Sequence, residues 1–210
     1  MRQGGFTIVE LLVAMLITVV VVAAILAIFS GFSGSFYGQM TRIQNQDDAR
    51  TAINQVARYI RMATSSAGHD SSLSNAIITA LPQDIEFYCD LSGDGVPERV
   101  RYYLDGATLL MQTREPEKTK TGLWKYAEDY ATNGVVVQDA IRNGAAPVFT
   151  YYRYAGGALE GFSPNSDAQR REIKTVAVSV EVNAKPELAK GSVILATDVQ
   201  IRQRYEGELK

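Results

Sequence analysis

After five residues the chain enters a long apolar block and then changes period twice. From residue 6 to 29 almost every position is apolar, and from 11 to 41 no residue is charged. A helix over residues 6–29 rises 1.5 Å per residue and reaches about 36 Å, enough to cross a hydrocarbon core of about 30 Å. This block is expected to span a membrane. Between residues 41 and 64 polar residues return with helical spacing. Ile43, Ile53, Val56, Ala57 and Ile60 share one face, while Arg42, Asp47, Asp48, Arg50, Arg58 and Arg61 cover the rest. The helix is expected to continue from the membrane and lay that stripe on a globular head, stopping at Ser65-Ser66-Ala67-Gly68 with Gly68 as its cap. Where the two halves join, residues 30–38 are rich in Gly and Ser, each Gly weakening a helix by about 1 kcal/mol relative to Ala. Ser30, Gly34 and Gly38 lie four apart, which suits either close helix approach or a flexible exit from the membrane.

Beyond residue 69 the period becomes two. Segments 77–79, 85–89, 100–104, 109–113, 135–138, 148–152, 173–182 and 193–201 are short and rich in β-branched and aromatic residues. Asp105-Gly106 between two of them signals a tight hairpin. Val176, Val178, Val180 and Val182 alternate strictly, so one face of that strand should be buried. The expected fold class is α+β, a long N-terminal helix packed on an antiparallel sheet head. Four stretches follow: 1–5 as a leader, 6–29 as the spanning helix, 30–68 as the Gly/Ser-rich segment with its amphipathic continuation, and 69–210 as the head.

Composition narrows the function. Over 210 residues, 21 Lys and Arg face 23 Asp and Glu, for a net charge of -2. No global basic field exists to hold nucleic acid, so there is no firm nucleic-acid signal. The mean hydropathy of -0.07 averages the apolar block with a polar remainder. One Cys, Cys89, excludes an internal disulfide, and one His, His69, in a polar loop, removes a His-rich metal cluster and the commonest general base. Serines lack the nucleophile elbow pattern. Nothing supports an enzyme, and no catalytic residue is assigned.

The start of the chain inverts the order of an ordinary secretory signal, whose small-residue cleavage site follows its apolar run. Here Met1-Arg2-Gln3-Gly4-Gly5 is basic, ends in two glycines and precedes the apolar run. A single carboxylate, Glu10, sits inside that run, where an acid is a functional hypothesis by default. The stretch Gly5-Phe6-Thr7-Ile8-Val9-Glu10-Leu11-Leu12-Val13-Ala14 resembles the processing motif of type IV prepilins and of the pseudopilins of type II secretion. The resemblance implies that a prepilin peptidase in the inner membrane cuts after Gly5 and methylates the new amine of Phe6. It further implies that the helix anchors the chain in the lipid bilayer, with the head in the periplasm, and later enters a filament core, with Glu10 acting in assembly. Other major and minor pilins or pseudopilins and an inner-membrane assembly platform are the implied partners. The long head, the turn before Val100-Arg101-Tyr102-Tyr103-Leu104 and the closing Thr197-Asp198-Val199-Gln200-Ile201-Arg202 resemble PilW-like minor pilins and the J-type minor pseudopilin. Many main pilins close a loop with a C-terminal cysteine pair and kink the helix at a Pro; this chain has neither feature. The expectation is therefore a minor pilin that helps to initiate or assemble a pilus; a secretion pseudopilin and a filament-tip module binding calcium, DNA or a surface ligand are the alternatives.

One turn of the head could carry chemistry. Asp90, Ser92 and Asp94 place oxygens at alternate positions before Gly95, with Glu98 following, as calcium loops do. The twelfth place, where such loops put a bidentate Glu, is Arg101, and the flanks read as strands. A polar hairpin turn and a calcium site are the two readings; no other cofactor is implied. The loop 115–120 is expected to be solvated, and the Tyr151-Tyr152-Arg153-Tyr154 cluster to be core and cross-strand pairs rather than a stacking platform for single-stranded nucleic acid.

Overall fold

A computed structural model describes residues 7–64, 75–118, 124–126, 129–130, 132–182 and 192–201, with backbone only for 33–42 and 132–133. The chain divides into two compact units, residues 1–42 and 43–210. The first contains most of helix α1, which runs without a break over Ile8–Arg61. Within Ile8–Phe32 the most apolar 18-residue window has a mean hydropathy of 3.2, and none of that window is buried within the molecule. Thr18 Oγ1 donates to the Ala14 carbonyl at 2.8 Å and Ser30 Oγ to that of Ala27 at 3.0 Å. The helix thus satisfies these hydroxyls itself, as a segment surrounded by lipid must. Its backbone stays helical through Gly31, Gly34 and Gly38; the side-chain ridge they form with Ser30 falls partly outside the described residues. The helix ends at Arg61, earlier than the stop expected at residues 65–68, because Ala63 already bridges to Cys89 and the Thr64 amide donates to the Tyr88 carbonyl at 3.0 Å. Gly68 and the loop holding His69 lie outside the described residues.

The second unit is the head, and its core forms where the last turns of α1 meet two antiparallel sheets. Ala49, Ala52, Ile53, Val56, Ala57 and Ile60 are buried. Their spacing of three and four keeps them on one helix face. Ile43, expected on this stripe, is instead 59% exposed. At 100° per residue it lies about 110° from the centre of the buried face, so the stripe begins at Ala49.

The first sheet has the order β1-β2-β3-β4-β7, from strands Ile77–Leu81, Asp84–Cys89, Glu98–Asp105, Thr108–Arg114 and Thr132–Val137. Its second hairpin pairs Asp105 with Thr108, leaving Gly106 and Ala107 as the turn. Gly106 has φ +60° and Ala107 has negative φ, the pattern of a type II′ turn. Between β4 and β7, strands β5 (Pro116–Lys118) and β6 (Trp124–Tyr126) form a separate ribbon. The charged stretch expected as a solvated loop is thus partly a strand, because Lys118 pairs with Trp124 and packs over its ring.

The second sheet has the order β11-β10-β8-β9, from Val193–Gln200, Thr175–Val182, Phe149–Ala155 and Ala158–Phe162. Val176, Val178, Val180 and Val182 are all buried, as their alternation predicts. Gly156 and Gly157, both at positive φ, close the β8–β9 hairpin. A short helix α2 (Asp167–Arg171), capped by Ser166, precedes β10. The two sheets are joined at the β1–β2 turn, where the Pro82 carbonyl accepts from the amides of Val148 and Phe149 at 2.8 and 2.9 Å. The buried Tyr151 hydroxyl donates to the Leu81 carbonyl at 2.9 Å beside them. The architecture is α+β, a long N-terminal helix followed by antiparallel sheets.

Candidate functional site

The N-terminal turn of α1 is built by a side-chain exchange between Thr7 and Glu10. Thr7 stands just before the first helical residue, where an amide has no partner within the helix. Its amide donates to Glu10 Oε2 at 3.0 Å, and its hydroxyl donates to the same oxygen at 3.0 Å. In return the Glu10 amide donates to Thr7 Oγ1 at 3.3 Å. This is a capping box, the Thr-x-x-Glu pattern that starts helices. A carboxylate in the first turn also faces the positive end of the helix dipole. Both bonds fall on Oε2, and a carboxylate keeps capacity for donors on its second oxygen. The assembly residue inferred from resemblance is therefore held in a defined geometry by Thr7, four positions after Phe6 in the sequence. Gly5 and Phe6 themselves lie outside the described residues. Thr7 is the member that sequence reasoning missed, although its spacing to Glu10 was a readable signal.

The 25-residue stretch Ile8–Phe32 that carries this cap exposes an almost wholly apolar surface. As a helix it is about 37 Å long, enough to span a bilayer.

The second candidate, the turn from Asp90 to Glu98, closes on itself. Asp90 Oδ1 and Oδ2 accept from the amides of Gly93 and Gly95 at 2.7 and 3.0 Å. Asp94 Oδ1 accepts from Val96 N at 2.8 Å, and Glu98 Oε2 from Leu91 N at 2.7 Å. Gly93 and Gly95 have φ of +77° and +84°, a region that L side chains rarely adopt. Ser92 is exposed on the turn. Each carboxylate faces backbone amides rather than a shared centre. Among the described residues no three Asp, Glu, Cys or His side chains form a metal-binding group. The arrangement fits a hairpin turn joining β2 to β3 and does not fit a calcium site.

Other singled-out residues are dispersed. Strand β8 sends Tyr151 into the core and leaves Tyr154 61% exposed. Arg153 pairs with Glu172 at 2.7 Å and stacks on Phe162, so the tyrosines form no continuous platform. Cys89 is fully buried. Burial, reinforced by Glu98 and Asp90, pushes its thiol up to about 12, away from thiolate chemistry.

Residues 1–26 match the family described as the prokaryotic N-terminal methylation motif. That motif is the hallmark of type IV prepilins and pseudopilins, and with the apolar helix it fits an anchor in the inner membrane. No curated protein sequence matches the chain.

Proposed function

We propose that the chain is a minor pilin-like structural subunit. A prepilin peptidase cuts it after Gly5 and methylates Phe6, Ile8–Phe32 holds it in the inner membrane with the head in the periplasm, and it then helps to initiate or assemble a type IV pilus. The observation that carries this proposal is the methylation motif over residues 1–26 leading into an exposed apolar helix whose first turn holds Glu10. Pilins, an assembly platform and the lipid bilayer are its partners, and catalysis belongs to the peptidase. A secretion pseudopilus would use the same N-terminus.

The proposed role of Glu10 follows from charge. Cleavage creates an amine at Phe6, and inside a bundle of apolar helices an unpaired charge is costly. Coulomb attraction grows about fourfold when the effective dielectric falls from that of water to about 20, so an amine and a carboxylate that meet there fix register. Before assembly Glu10 holds its own first turn through Thr7; afterwards its second oxygen accepts from a neighbour's Phe6 amine.

Mass spectrometry of the assembled protein is expected to find methylated Phe6 as its N-terminus. Any other N-terminus would sink the proposal. Glu10→Gln keeps an acceptor able to complete the capping box but removes the charge. Glu10→Gln and Glu10→Ala are both expected to be cleaved and inserted yet absent from filaments. Normal incorporation of the Gln variant would show that the cap, not the charge pair, is what Glu10 supplies.

A further inference from the structure

The four outer edges of the two main sheets are not alike. β1 breaks register between Ile77 and Thr79, and β7 pairs through a register shift at Leu109/Leu110 and carries Gly134. β9 has five residues, one of them Gly161. Such irregularities and short lengths keep an edge from recruiting another strand. β11 has none of them. It pairs with β10 over eight consecutive residues without a shift, and Val193–Gln200 contains no Pro, Gly, Lys or Arg.

The hydrogen bonds fix which backbone groups face outward. Ser179 N donates to the Val148 carbonyl and Glu181 N to Asn143 Oδ1, so odd-numbered β10 residues turn toward β8. Ile201 N donates to the Lys174 carbonyl, so odd-numbered residues of this last strand turn toward β10. In an antiparallel strand the N–H and C=O of one residue point the same way and alternate along the chain. Ile194, Ala196, Asp198 and Gln200 therefore turn theirs to the outer edge, which no strand among the described residues pairs. Their spacing matches that of another extended backbone.

The side chains narrow the occupant further. On the core side, Val199 is buried, while Val193, Leu195 and Thr197 are only half-covered. On the other side Ile194 is 68% exposed, and Asp198 is the one charge on the strand. An added strand would cover Leu195 with an apolar residue and meet Asp198 with a cation.

We propose that the β11 edge is a strand-addition site. It accepts an extended segment of about six to eight residues from another subunit of the same filament. That segment alternates apolar and polar residues, with a Lys or Arg in register with Asp198. The identity of the partner rests on the pilin proposal; the edge itself rests on the β10–β11 geometry.

Two measurements on the full-length chain in its native membrane test this site. A photo-crosslinking residue, Ala196→p-benzoylphenylalanine, is expected to join this strand to an extended segment of a second chain that bears its own prepilin-type N-terminus. Ala196→Pro removes one outward N–H and leaves the β10 ladder intact, as Pro at an edge can. It is expected to fold and to be processed at Phe6, yet to fall about tenfold in the assembled fraction, which corresponds to about 1.4 kcal/mol. Leu195→Pro removes an N–H that faces β10 and is expected to destabilise the head, so it serves as the control for direction. Native incorporation of Ala196→Pro, or cross-links confined to the same chain, overturns the proposal. Failure of the native chain to be cut after Gly5 overturns the pilin proposal by itself, and the cross-link then decides the edge separately.

Discussion

At the scale of single residues, the same carboxylate chemistry serves opposite ends. Glu10 is fully exposed on an apolar helix, and its bonds to Thr7 set its direction; in the proposed filament its surroundings would decide its role. Asp90 binds two amides of its own turn and has no need of an ion to hold it. Asp90→Ala is therefore expected to lower stability by about 1–2 kcal/mol through the lost hydrogen bonds. Thermal melts of the full-length chain in detergent micelles should show the same loss in calcium and in chelator; a loss seen only with calcium would mean that the turn binds the ion after all. Alternating oxygens before a glycine suit both a cation and an Asx-type turn, which is why the sequence alone left both readings open. By contrast, Thr7 and Glu10 carried a capping signal that the strength of the processing motif overshadowed.

Among the elements, legibility followed the size of the apolar side chains. The valines of β10 announced a half-buried strand, and the apolar block announced α1. Ala49 and Ala52 did not announce the start of the buried stripe, since Ala adds little to a hydrophobic pattern, and Ile43 stood out although it faces outward. The ribbon of β5 and β6 and the short β9 were not legible because their pairing depends on partners distant from a charged or glycine-rich stretch. Ile60, which is 1% exposed at the junction of α1 with the sheets, tests the corrected stripe. Ile60→Ala is expected to cost about 3 kcal/mol, and Ile43→Ala close to nothing, as denaturant midpoints of the full-length chain would measure. Equal costs at the two positions would place the contact face elsewhere.

Over the whole molecule, the head closes its core around groups that must stay protonated. Burial is the first cause of a raised value at Cys89, pushed up to about 12 from an ordinary 9.0. It is also the first cause at Tyr88, Tyr102, Tyr126 and Tyr151, all raised from 10.0. The Tyr126 hydroxyl donates to the Pro97 carbonyl at 2.5 Å and that of Tyr151 to Leu81 at 2.9 Å, so ionisation would also remove donors that hold neighbouring turns. For each of these acids the folded chain keeps a proton that the unfolded chain releases at lower pH. Their contribution to stability is complete below the unfolded values and is lost as pH rises through the folded ones. The head is therefore expected to melt at nearly constant temperature from pH 7 to 9. Its melting temperature should then fall from pH 9 upward, first through Cys89 and, above pH 10, through the tyrosines. Cys89→Ala leaves a small cavity and lowers stability at every pH, yet it should move the onset of the fall from pH 9 to pH 10. Near-ultraviolet circular dichroism of the full-length chain in micelles follows both changes. An unaltered onset in the Ala variant would remove Cys89 from the account, and a flat melting temperature up to pH 11 would mean that these phenols reach water when they ionise.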